Sequence, residues 1–415
     1  MSEEVAFGGV LVVALIAVAA PLVSRAIPRV KVPSVVLEIL AGIVVGPSVL
    51  GWVEVDQPIA VLALVGLAFL LFLAGLEIDL HQLRGNLLRL PLLGFGVTLL
   101  LGLALGVGFD AAGWVNSPLF LAIALAATSL GLVVPVLKDA GHADRPLGRY
   151  TIAGATIADF AAVILLSFFF SESEGGATSM LVTIGLFIVV IVAVAFALVG
   201  AGRSMRLDTL LVQLQDTTAE IRVRIAVALL VGFVALAAGV GLELILGAFI
   251  AGAVLAIVDR DTASHPHLRV KLEAIGYGFL IPMFFVTSGL RFDLNALTSS
   301  PGALARVPLF LLALLVVRGV PAVLYTRELG RDGARIAALL QATSLPFIVT
   351  ATEIGVSLGA IAPVTAAALI AAGLLSVIVF PPIALASLRR LDDVDSNTPE
   401  PALPIAAVRP MGTQH

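Results

Sequence analysis

The sequence predicts an all-α polytopic membrane protein, on three observations. First, 60% of its 415 residues are hydrophobic and only 13% are charged, with a mean hydropathy of +1.12, whereas soluble domains carry roughly 25% charged residues. Second, apolar stretches close to the length that crosses a bilayer, about twenty residues, recur along the chain between short loops marked by Gly, Pro and charge. Third, the 24 Lys and Arg collect in alternate loops, as they do in loops that face the cytoplasm.

Taken in order, the spans are read near 5–25, 33–50, 58–77, 86–109, 117–137, 150–170, 178–201, 223–240, 242–258, 274–290, 303–326, 333–354 and 359–387, about thirteen transmembrane helices. Arg25, Arg29 and Lys31 follow the first span, Arg84 and Arg89 the third, Lys138, Arg145 and Arg149 the fifth, and Arg203, Arg206, Arg222 and Arg224 the seventh. Arg260, Arg269 and Lys271 follow the ninth, Arg327, Arg331 and Arg335 the eleventh, and Arg389, Arg390 and Arg409 the last. The intervening loops hold only Arg291 and Arg306, with Glu54, Asp56, Asp110, Glu172 and Glu174 on their side. A miscounted span would scramble this alternation, so it predicts an N terminus outside and a C terminus inside. The opening MSEEVAFGGVLVV is acidic where a signal peptide is basic, and the first span is expected to be retained. The polar, Pro-rich residues 391–415 are expected to form a disordered cytoplasmic tail after a membrane domain covering 1–390.

Composition also excludes. Without cysteine there is no disulfide framework, thiolate nucleophile or zinc-thiolate site. A net charge of -4 with basic residues scattered in short loops gives no nucleic-acid footprint. No nucleophile elbow, HExxH or P-loop is present, so neither an enzyme nor a cofactor is expected.

Three local matches pair spans seven apart. LEILAGIVVGPSVL (37–50) matches LELILGAFIAGAVL (242–255), GLEIDL (75–80) matches GLRFDL (289–294), and Ala127-Thr128-Ser129-Leu130 matches Ala342-Thr343-Ser344-Leu345. An odd offset means copies of opposite orientation, repeat one near 33–170 and repeat two near 242–387. Inverted-topology repeats mark secondary transporters, whose substrate site lies at the midplane where interrupted helices of the two copies meet.

Few ionisable residues lie deep in a span, where each costs roughly 2.5–3.5 kcal/mol or more. Asp159 stands near the middle of the sixth span and Arg318 near the middle of the eleventh; a buried ion pair between them is the structural alternative to a functional role. Spans five and twelve each place Thr-Ser before residues that weaken a helix, Gly131 and Pro135 in one and Pro346 in the other. Proline frees a helical carbonyl, and irregular backbone at this depth is tolerated where it is buried or lines a cavity. Two discontinuous helices are therefore predicted at Thr128-Ser129 and Thr343-Ser344. Carboxylate, hydroxyl and carbonyl oxygens together suit a hard cation. Either a monovalent cation or a proton neutralises Asp159, and one carboxylate serving both in turn gives exchange. Glu38 and Glu243 read as structural polar partners, Glu77, Asp79 and Asp293 as solvated span ends, and His265 and His267 as a solvated loop pair.

The segments LEILAGIVVGPSVLG, FLAGLEIDL, ATSLGLVVPVLKDAG, LGAFIAGAVLA and PMFFVTSGLRFDL resemble the monovalent cation:proton antiporter-2 family, the bacterial sodium/proton and potassium/proton exchangers. The resemblance implies a sodium/proton antiporter-like fold of thirteen spans, with a dimerisation domain and a mobile core, working by elevator-like alternating access as a homodimer in the cytoplasmic membrane. It also implies that Asp159 is the essential aspartate. Thr128 and Ser129 match the first unwound stretch and Thr343, Ser344 and Pro346 the second, while Arg318 falls where members carry a basic residue. The chain departs from the family at Ala158, where members often carry Asp, Asn or Gln before the aspartate. A single carboxylate then predicts one proton per monovalent cation, an electroneutral exchange of Na+ or K+ for H+ by a homodimer embedded in the lipid bilayer. A sodium-coupled organic-anion symporter, and a cation channel or sensor without exchange, are the rival readings; the scarcity of polar residues within the spans weighs against the first.

Overall fold

The computed structural model describes residues 7–26, 33–77, 85–170, 185, 220–258 and 266–396. Among them the regular structure is helical throughout, with one isolated β-bridge between Val115 and Ile361. Nine helical stretches of the described residues are long and apolar enough to cross a membrane, and Ser34–Val45 and Leu244–Ile257 are shorter apolar helices. The seventh predicted span, 178–201, lies outside the described residues apart from residue 185, as do Asp79, His81 and His265.

The helices sort by packing into two bundles. In the first, α1 (Gly8–Ala26), α2 (Ser34–Val45) and α3 (Gln57–Leu76) pack with α8 (Ile221–Gly239), α9 (Leu244–Val258), α10 (Pro266–Ile275) and α11 (Ile281–Leu290), the last two joined through a π-turn at Gly276–Leu280. In the second, α4 (Asn86–Ala111), α5 (Pro118–Ala126), α6 (Leu130–Asp139) and α7 (Pro146–Phe169) pack with α13 (Pro301–Leu314), α14 (Thr326–Gln341), α15 (Pro346–Ser357) and α16 (Pro363–Ser396). A short α12 (Leu294–Thr298) leads from the first bundle into the second.

Local chemistry starts these helices where the sequence allows it. Asp56 accepts from the Ile59 N–H at 3.0 Å to cap α3, Ser117 accepts from Phe120 at 3.3 Å to cap α5, and Ser300 accepts from Ala303 at 3.1 Å to cap α13. Each is followed by a proline in the first turn, where the missing N–H needs no partner.

The first bundle is held by backbone contact. A methyl group on Gly75 of α3 would strike the Phe249 carbonyl oxygen of α9, and one on Gly252 of α9 would strike the Phe72 carbonyl of α3. Gly42 of α2 and Gly289 of α11 face each other in the same way, against Val286 and Ile39. Small residues at crossings let helices approach closely where no hydrophobic effect drives them together. Gly75 and Gly289 occupy matching positions in GLEIDL and GLRFDL, and α2 and α9 carry the other matched pair, so matched segments contact each other crosswise.

The last helix continues through Ser396, six residues beyond Arg390; residues 397–415 lie outside the described part.

Candidate functional site

Two interrupted helices meet in the second bundle. The first interruption, at Ala127-Thr128-Ser129, separates α5 from α6, and Ala127 takes an extended conformation (φ −76°, ψ 156°). The second, at Ala342–Leu345, separates α14 from α15, and Pro346 is the first residue of the new helix. The first break thus falls at Thr128-Ser129, where the sequence places it, and not at the helix-weakening Gly131 and Pro135 that follow. Both lie inside α6. The break is held at Thr128-Ser129 because the freed N–H groups there find partners on other helices, which no local propensity encodes.

The two breaks are stitched together. Ser129 N–H donates to the Thr343 carbonyl at 2.9 Å, Leu345 N–H donates to Ser129 Oγ at 3.0 Å, and Thr128 Oγ1 donates to the Gln341 carbonyl at 2.6 Å. Thr128, Ser129, Thr343 and Ser344 are all buried, so these bonds supply the partners that backbone in hydrocarbon must have.

Asp159, from α7, reaches the start of α6. One carboxylate oxygen accepts from Thr128 N–H at 2.9 Å and the other faces the Leu130 N–H at 3.4 Å. Leu130 opens α6 and Thr128 lies two residues before it, and a helix N-terminus favours negative charge. Ala158, the preceding residue, is fully buried and apolar.

Arg318 sits on a π-turn at Leu315–Gly319 and is 2% exposed. Its Nε and one terminal nitrogen donate to Thr128 Oγ1 at 2.9 and 2.6 Å. The guanidinium also donates to Thr98 Oγ1 at 3.2 Å and to the Gly154 carbonyl at 3.4 Å. These partners are all neutral oxygens. Arg318 and Asp159 are therefore held by opposite sides of Thr128, the hydroxyl by one and the amide by the other, rather than by direct hydrogen bonding between them.

Asp159 and Ser129 line a cavity of about 90 Å³ between the bundles. Its opposite wall comes from α3, α9 and α11 and is mainly apolar, apart from Glu77 and Tyr277. Glu77, at the end of α3, pairs with Arg269 at 3.5 Å. Glu38 is buried on α2. Asp293 caps α12 by accepting from Ala296 N–H at 2.8 Å.

Ser376, a residue the sequence reading passed over, faces the second break from α16. It is fully buried, and Ser344 N–H donates to its hydroxyl at 3.1 Å. A serine in an apolar span carries no signal on its own, since in a helix it satisfies itself on a carbonyl one turn back.

A family model described as "Sodium/hydrogen exchanger, transmembrane" matches residues 12–386. YjbQ of Bacillus subtilis, provisionally named a Na(+)/H(+) antiporter, is 30% identical over 88% of this chain, which spans 60% of that protein's length. The Na(+)/H(+) antiporter of Enterococcus hirae is 30% identical over 68% of this chain and 73% of its own. In three dimensions the chain superposes on the sodium proton antiporter MjNhaP1 of Methanocaldococcus jannaschii at pH 8, with a TM-score of 0.64 over 92% of this chain and 98% of that one, at 19% identity. That likeness gives the fold. The match across nearly all of the apolar chain makes this multi-pass membrane protein a member of the sodium/hydrogen exchanger family.

Proposed function

We propose that the protein exchanges a monovalent cation, Na+ or K+, for H+, with Asp159 carrying each in turn. The single observation behind this reading is a lone aspartate beside two stitched helix breaks, facing a cavity of only about 90 Å³. Organic ligands occupy pockets of roughly 300–1,000 Å³, so the cavity suits a small ion and disfavours a sodium-coupled organic-anion symporter. Two carboxylates in the lining, Asp159 and Glu77, repel an anion.

Binding of either ion neutralises Asp159, which lowers the cost of carrying it past apolar surface. Thr128, Ser129, Thr343, Ser344 and Pro346 shape the backbone around the ion, and Arg318 holds Thr128. With Ala158 in place of a second polar group, one proton exchanges for one cation. The relatives bear names of Na+/H+ antiporters, and one from Bacillus cereus, 29% identical over 69% of this chain, is named a Na(+)/H(+)-K(+) antiporter; both cations therefore enter the proposal. Crosswise contacts between matched segments support two inverted repeats, near 33–170 and 242–387, within a thirteen-span membrane domain. Alternating access then means movement of the bundle containing the breaks against the glycine-packed one, which supplies the contact of a homodimer. The reading puts the protein in the cytoplasmic membrane with its N terminus outside, on the distribution of Lys and Arg.

Purified protein in proteoliposomes, loaded with a pH-sensitive dye, tests this on addition of Na+, K+ or Li+. Wild type dissipates the proton gradient and Asp159→Asn does not. An Asn variant that exchanges like wild type refutes the mechanism, and current without a proton gradient identifies a channel.

A further inference from the structure

The second break has an anchor built like that of the first but carrying no charge. In the first, Thr128 N–H donates to Asp159, thirty-one residues downstream on α7. In the second, Ser344 N–H donates to Ser376 Oγ, thirty-two residues downstream on α16. The Ser376 hydroxyl also stands 2.7 Å from the Gly373 carbonyl and 3.1 Å from the Ser344 carbonyl; with a single proton it donates to one of them at a time. One turn earlier on α16, Gly373 completes the seat, since a methyl group there would approach the Ser344 carbonyl oxygen to 3.0 Å. The Ser344 hydroxyl itself is buried and has no hydrogen-bond partner, so its backbone is the part that α16 holds.

Ser344 lies between the two residues that grip Ser129. Thr343 accepts from the Ser129 amide at 2.9 Å and Leu345 donates to its hydroxyl at 3.0 Å. Ser129 in turn lines the cavity beside Asp159, whereas Ser376 is fully buried and absent from that lining. We infer that Ser376 is a positioning residue for the cation site: through Ser344 it sets where Thr343 and Leu345 hold Ser129, and so fixes the oxygen geometry around the ion without touching it. The inference rests on Asp159 being the cation site. It predicts that loss of the hydroxyl degrades affinity and ion discrimination together, because a buried amide left without its acceptor lets the break relax toward another partner.

The test uses the full chain in detergent and in proteoliposomes, with Ser376→Ala and the hydroxyl-retaining Ser376→Thr. Exchange assays give KM and maximal rate for Na+, K+ and Li+. Titration of the melting temperature with each ion gives binding without requiring turnover. Ser376→Ala is expected to raise KM and the half-saturating concentration about five- to tenfold, to shift the ratio between the preferred and poorest ion at least twofold, and to leave the maximal rate within twofold. Ser376→Thr stays within twofold of wild type in KM and in the half-saturating concentration, the latter read as the ion-dependent shift from its own ion-free melting temperature. The inference is overturned if Ser376→Ala binds all three ions as wild type does, or if the variants weaken all ions by one common factor. If instead Asp159→Asn keeps the ion-dependent stabilisation, the site assignment fails and not merely the role of Ser376.

Discussion

Thr128 bridges Asp159 and Arg318, and replacing it by Val tests that bridge. The isosteric change deletes Oγ1, which accepts two Arg318 donors at 2.9 and 2.6 Å and donates to the Gln341 carbonyl at 2.6 Å. A hydrogen bond to a charged group contributes about 1.5–3 kcal/mol and a neutral one about 1 kcal/mol, and buried groups left unpaired cost more than the bond itself gave. Arg318 keeps Thr98 and Gly154, so a net loss of about 3 kcal/mol is expected for Thr128→Val and less than about 1 kcal/mol for Thr128→Ser. At about 2 °C per kcal/mol for a large domain, Thr128→Val melts roughly 6 °C lower. Emission from Trp52 and Trp114 reports the transition. The double variant Thr128→Val/Arg318→Met should be more stable than Thr128→Val alone, because it removes a buried charge whose partners have gone. Equal melting of the Val and Ser variants, or a double variant that loses the sum of the singles, refutes the bridge.

Gly75→Ala or Gly252→Ala places a methyl group against a carbonyl of the facing helix and should abolish accumulation of monodisperse protein in detergent extracts, whereas Gly96→Ala, with open space around it, should leave it unchanged. Arg291, at the end of α11, pairs at 3.1 Å with Glu353 of α15 and so joins the two bundles. The pair is partly exposed, so Arg291→Gln should raise the maleimide labelling rate of a Thr352→Cys reporter only two- to fivefold, in a chain with no native cysteine, and Arg291→Glu/Glu353→Arg should restore it. Competition between proton and cation for one carboxylate raises the apparent KM for the cation by at most tenfold per pH unit on acidification at constant maximal rate; a steeper slope means a second proton.

The sequence held most of the architecture because a bilayer leaves few alternatives. Every unpaired backbone group must be satisfied within the chain, so long apolar runs become helices, and basic loops mark their ends. The breaks were legible at Thr128-Ser129 and Thr343-Ser344 because both interrupt apolar runs at matched positions. What held them open was not legible, since Gly131 and Pro135 lie inside α6 and the freed amides are taken up by Asp159, Thr343 and Ser129 across the fold. The partner of Arg318 was equally hidden. Charge complementarity suggests Asp159, but only the packing of α4, α7 and the π-turn brings Thr98, Thr128 and the Gly154 carbonyl around the guanidinium. Ser376 was invisible because its role depends entirely on what it faces.

The neutral coordination of Arg318 has an electrical consequence. With Asp159 ionised and empty, the two residues sum to zero; with either a proton or a monovalent cation aboard, they sum to one positive charge. If Arg318 travels with Asp159 in the proposed exchange, each half-cycle carries that charge across some fraction of the membrane, in opposite directions. The complete cycle is silent to the membrane potential, and so is the equilibrium it reaches. Its speed is not, because a full unit charge is worth about 2.3 kcal/mol per 100 mV. An exchanger that moves no net charge would then still run at a rate set by voltage, with whichever half-cycle opposes the field becoming the slow one.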